Sequence, residues 1–122
     1  MLNAHSAVVE VYRNDYQSTQ QGVIGITLNH DWGEPLTDSK EDREAADIRN
    51  EFAMGWFADP LVFGRYPPWM QTLVRDRLPR FSESQRSRLV GSYDFIGLNH
   101  YSSKYYSKKH IDKSKPQNAS LG

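Results

Sequence analysis

Two stretches decide the fold: Val23-Ile-Gly-Ile-Thr-Leu-Asn29 and Asp94-Phe-Ile-Gly-Leu-Asn-His-Tyr101. Each reads as a strand, because apolar and β-branched residues alternate with small or polar ones. Side chains on a strand point to alternate faces. In the first stretch Ile24, Ile26 and Leu28 share one face, and Gly25, Thr27, Asn29 and Asp31 share the other. In the second, Ile96, Leu98 and His100 share one face, and Phe95, Gly97, Asn99 and Tyr101 share the other. Each strand therefore has an oily face suited to covering helices. Each opposite face starts small or apolar and turns polar at its C-terminal end. Barrel strands show this pattern, because their functional groups cluster at the C-terminal mouth.

Working outward, Ala4, Ala7, Val8 and Val11 fall at helical spacing, so residues 2–17 are predicted helical. Asp38 and Ser39 are N-cap candidates, followed by the acids Glu41 and Asp42. Ala45, Ile48, Phe52 and Trp56 then mark one face of a helix that Asp59-Pro60 is expected to end. Trp56 and Phe57 read as packing residues. Pro67 and Pro68 open a short helix carrying Met70, Leu73 and Val74. Ser82 and Gln85 form a capping-box pattern for a helix stopping near Gly91. Helices alternating with strands imply a parallel α/β arrangement.

Composition narrows the functional classes. The 122 residues carry 15 basic and 15 acidic side chains and no cysteine. Disulfide scaffolds and thiolate metal sites are excluded. No apolar run approaches the ~20 residues of a membrane helix. The uniform positive field of a nucleic-acid binder is absent. Charge is nevertheless segregated: residues 31–51 hold eight acids against three bases, and residues 65–88 hold six Arg against Asp76 and Glu83. Solvated helix faces account for such runs, and a basic patch for an anionic partner is the sharper alternative. His5, His30, His100 and His110 show no metal-ligand spacing. Residues 107–122 read as a polar loop or disordered tail, and contain Asn118-Ala119-Ser120, a glycosylation pattern. Met1 leads straight into an amphipathic pattern, not a signal region. Leu, Ile, Val and Phe number only 26, a thin core for one domain and the amount expected of a slice of a larger one.

Several segments carry a resemblance. GITLNHDWGEPL at 25–36, EFAMGWFADPLVFGRYPPWM at 51–70, RLPRFSESQ at 77–85 and GSYDFIGLNHYSS at 91–103 follow one another. In order and spacing they resemble glycoside hydrolase family 1, of β-glucosidase and lactase-phlorizin hydrolase type. The Asn99-His100-Tyr101 form resembles animal-type members. The resemblance implies a partial (β/α)8 barrel over residues 1–106, from about helix 4 to strand 6. Two strands cannot close a barrel that needs ~250 residues.

The resemblance also implies a chemistry. Retaining glycosidases use a general acid/base and a nucleophilic carboxylate about 5–5.5 Å apart. In this family the first sits in a Thr-x-Asn-Glu-Pro motif and the second in a Thr-Glu-Asn-Gly motif. Neither occurs in this sequence, so the chain alone is expected to be inactive. Gly33-Glu34-Pro35 imitates the first motif but follows the wrong strand, and Glu34 is expected to be a structural loop acid. By resemblance, Tyr101 donates its hydroxyl to the missing nucleophile. Asn99, Asp31 and Trp32 are the implied sugar and aglycone contacts. The implied substrate is a small β-glycoside or oligosaccharide, with no cofactor and no metal. A secreted or vacuolar/lysosomal parent is compatible with it. The alternative is part of a non-catalytic barrel of the same family that binds a glycan or a protein.

Overall fold

The computed structural model describes residues 1–108. His110 and the glycosylation pattern at Asn118 lie outside the described residues. Helix α1 (Leu2–Val11) continues through a π-widened turn at Tyr12–Tyr16 into α2 (Gln17–Gln20). It ends where Gln21 turns left-handed at φ 53°. Strands β1 (Gly25–Asn29) and β2 (Trp32–Pro35) follow, then α3 (Lys40–Asn50), α4 (Trp56–Phe63), α5 (Pro68–Val74) and α6 (Glu83–Leu89). Strands β3 (Phe95–Asn99) and β4 (Ser103–Tyr106) complete the order.

Strands β1 and β3 pair parallel, with Gly25 opposite Phe95 and Asn29 opposite Asn99. Asp94 sets this register. Its carboxylate accepts from the Ile24 N–H at 2.8 Å and from Arg13 at 2.7 Å, while its own N–H donates to the Ile24 carbonyl at 2.7 Å. The expected side-chain parity holds on β1, where Leu28 is buried, while Leu98 of the same face on β3 is half-exposed. Ile26 packs on a core of Leu2, Leu61 and Leu89, joined by Phe57, Phe81 and Tyr93. Leu61 and Leu89 are fully buried, and burying such a side chain contributes about 1.5–3 kcal/mol. The opposite face is bare: Thr27, Asn29 and Asn99 are exposed.

Three expectations need correction. Pro60 does not end its helix; it lies inside α4, which runs to the left-handed Gly64. The stretch Glu51–Gly55 just upstream is π-widened. Pro60 forfeits only the bond to the carbonyl of Trp56, the first residue of α4. Trp56 stacks on Phe57 at 5.8 Å but stays 43% exposed, so it flanks the core. The loop around Glu34 is instead a strand. Strands β2 and β4 extend the parallel ladder beyond the ends of β1 and β3. Each is four residues long, and Gly33 and Pro35 mask the strand signal. Ser82 and Gln85 do form a reciprocal capping box. Helix α5 has no cap of its own; Glu51 accepts from the Trp69 N–H at 2.7 Å, and burial raises the Glu51 pKa.

Among the described residues two non-glycine positions have positive φ, Gln21 and Arg75, and Arg75 is the one outside the left-handed helical region. Arg75 sits at φ 53°, ψ −126°, a region that side chains avoid, at a cost of about 1–3 kcal/mol.

Candidate active site

The strand C-termini form a rim with an irregularity at its centre. Two residues, His30 and Asp31, link β1 to β2, but three, His100, Tyr101 and Ser102, link β3 to β4. The ladder bonds bracket the extra residue: the His30 N–H donates to the Asn99 carbonyl at 3.0 Å, and the Trp32 N–H donates to the Ser102 carbonyl at 3.1 Å. His100 Nδ1–H donates to the His30 carbonyl at 2.9 Å and holds the kink. A bulge of this kind re-aims a side chain. Tyr101 occupies it and is 80% exposed.

Tyr101 and Asp31 share a hollow of about 290 Å³ with Asn29, His30, Arg49 and Ala53. Asn99 stands beside it, its Nδ2 donating to Asn29 Oδ1 at 2.9 Å. Trp32 is one residue further along the rim and does not line the hollow. Its indole N–H donates to Glu34 Oε1 at 2.7 Å, and its ring meets His30 edge-on at 5.8 Å. The structure thus brings Tyr101, Asp31 and, through Asn29, Asn99 together. It gives Glu34 the task of fixing the Trp32 indole.

Among the lining residues that sequence reasoning did not single out are His30 and Arg49. His30 continues the face of Ile24, Ile26 and Leu28, and is buried with both ring nitrogens unpartnered among the described residues. Burial first, then the charges of Arg49 and His100, lower its pKa against the pull of Asp31. Strand parity was the signal for its burial. Arg49 donates from Nε to the Tyr106 hydroxyl at 2.9 Å and lies over that ring. A single Arg on a helix gives no signal in sequence.

The rim is braced from α3. Asn50 clamps Gly33 from both sides: its Oδ1 accepts from the Gly33 N–H at 2.8 Å and its Nδ2 donates to the Gly33 carbonyl at 2.9 Å. A Cβ on Gly33 would come within 3.1–3.2 Å of the Asn50, Arg49 and Tyr106 side chains, so a larger residue there would make them give by a few tenths of an ångström. Buried Asp42 ties the far end together. It accepts from the Thr37 N–H and hydroxyl, from the Ser107 hydroxyl at 2.7 Å and from the Lys108 N–H. Those hydroxyls, Ser107 first, lower its pKa.

Parallel strands, helices on one face and polar groups gathered at the strand C-termini are those of a portion of an α/β barrel. Residues 1–121 match the family model of glycosyl hydrolase family 1, and the chain belongs to that family. It is 48% identical over 116 residues to the oleuropein β-glucosidase of Olea europaea, a match covering 95% of this chain and 20% of that enzyme. Identity is 52% over 105 residues to the furostanol glycoside 26-O-β-glucosidase of Hellenia speciosa, covering 86% and 19%. A β-glucosidase from the fungus Humicola insolens, solved in complex with glucose, superposes with a TM-score of 0.82 at 47% identity, covering 85% and 22%. The chain spans about a fifth of the length of the curated relatives it matches. Among the described residues no helix is long and apolar enough to cross a membrane.

Proposed function

We propose that this chain is the wedge from about helix 4 to strand 6 of a retaining β-glucosidase-type barrel that cleaves small β-glycosides without a cofactor. The supporting observation is the bulge that presents Tyr101 beside Asp31 at the strand C-termini. A phenol is a neutral donor at pH 7. From the bulge, the Tyr101 O–H donates to the nucleophilic carboxylate of the complete barrel. That bond orients the carboxylate and restrains its basicity before attack at the anomeric carbon. Asn99 and Asp31 meet sugar hydroxyls, and the Trp32 indole, held by Glu34, offers an apolar face. Tyr101 is thus a positioning residue for a nucleophile that this chain does not carry.

The isolated chain has neither catalytic carboxylate motif. Purified and incubated with a chromogenic β-glucoside, it is expected to release no chromophore above buffer. Turnover that copurifies with the chain would sink the division of labour proposed here.

A further inference from the structure

The six arginines of residues 65–88 have no part in the sugar site. The fold sorts them. Arg88 pairs with Glu10 of α1 at 3.7 Å. Arg65, Arg75, Arg80 and Arg86 line one concave space of about 480 Å³ between the end of α4, the end of α5 and the start of α6. Asp76 is the one acid in that lining. Among the described residues none of the four arginines is in an ion pair; Asp59 only feels the charge of Arg65 at a distance.

The space has built walls. Gly64 is left-handed at φ 67°, and a Cβ there would collide with the Arg86 stem, so that stem lies directly on the Gly64 backbone. Arg75 Nε donates to the Thr72 carbonyl at 3.2 Å from its strained backbone position. Tyr66 and Phe81, which also line the space, stack at 4.8 Å. Gln71 fixes that end by donating to the Tyr66 carbonyl at 2.6 Å.

Four lining arginines against one lining acid give the hollow a positive balance that suits a multivalent anion. The planar fork of Arg matches a tetrahedral oxyanion with paired N–H donors. The volume falls within the roughly 300–1,000 Å³ of small-molecule sites. We propose that this hollow binds a phosphate-bearing small molecule. It adjoins the turn at Val90 that feeds the N-terminal end of β3, away from the Tyr101 rim.

Calorimetric titration of the full chain with inorganic phosphate and with phenyl phosphate tests this, using sodium chloride at matched ionic strength as the blank. Saturable one-to-one binding is expected, weakened about tenfold or more in Arg80→Ala/Arg86→Ala and unchanged in Arg77→Ala. Tighter binding of phenyl phosphate marks an ester as the ligand, and equal binding marks the free anion. Arg80→Lys/Arg86→Lys keeps the charge and loses the fork, so weaker binding there supports recognition by geometry. No saturable heat with either anion in the folded chain overturns the proposal. So does the same affinity in Arg77→Ala and Arg80→Ala/Arg86→Ala, which would mark an adventitious ion only.

Discussion

The two faces of the β1–β3 pair are built for different work. One buries Ile26 against Leu2, Leu61 and Leu89; the other leaves Thr27, Asn29 and Asn99 in the open. Even the oily face is unevenly covered, since Leu28 is 3% exposed and its ladder partner Leu98 is 50% exposed. Parallel sheets are normally covered on both faces. The covered side is where this chain holds itself together. The bare side carries polar groups aimed at what lies beyond it.

This contrast is broken most directly by truncation on each side. Leu61→Ala is expected to cost about 2–5 kcal/mol in urea unfolding. Thr27→Ala, exposed on the bare face of β1, is expected to change stability by no more than about 1 kcal/mol. Equal effects would mean that the faces are not divided as described. The next largest effect concerns the brace between the rim and α3. Asn50→Ala removes both clamps on Gly33 and is expected to cost roughly 2 kcal/mol, with faster amide exchange at Gly33. A smaller effect has the opposite sign: Arg75→Gly relieves the strained backbone and is expected to stabilise by about 1 kcal/mol, net of the added freedom of the unfolded chain.

The smallest effects are pH-dependent and fall in two windows. Burial holds the His30 pKa below its ordinary 6.5. The unfolded chain takes up that proton first, so stability is full above 6.5 and declines as pH falls toward the lower folded value. Asp42 and Asp94 are held below 3.8, Asp42 chiefly by Ser107 and Asp94 chiefly by the Ile24 N–H and then Arg13. Their contribution is full above 3.8 and is lost as pH falls through their depressed folded values. Urea midpoints measured against pH are expected to show two declines, with the raised pKa values of Glu51 and Asp59 acting in the opposite sense between them. His30→Phe is expected to remove the upper decline and leave the lower.

Much of this contrast was legible in the sequence. Alternation in Ile24-Gly25-Ile26-Thr27-Leu28-Asn29 separates the faces without further information. It also placed Asn99 and Tyr101 together, and the capping box at Ser82 was equally plain. The bulge was not legible, because an unpaired residue is defined by the partner strand rather than by its own neighbours. Strands β2 and β4 were hidden for a related reason: their pairing depends on the ladder already laid down by β1 and β3. The Asn50 clamp and the arginine hollow join positions separated in sequence, and no local pattern announces them.

The central claim is that the bulge presents Tyr101 to a nucleophile carried elsewhere in the barrel. It is tested by replacing the matching segment of the Humicola insolens β-glucosidase with this chain, then comparing that chimera with its Tyr101→Phe variant. The folded chimera is expected to hydrolyse a chromogenic β-glucoside. The variant is expected to lose about tenfold or more in kcat/KM, as the loss of one charge-assisted hydrogen bond predicts, with a shifted pH profile. A folded, active chimera whose rate and pH profile are untouched by Tyr101→Phe would contradict the account.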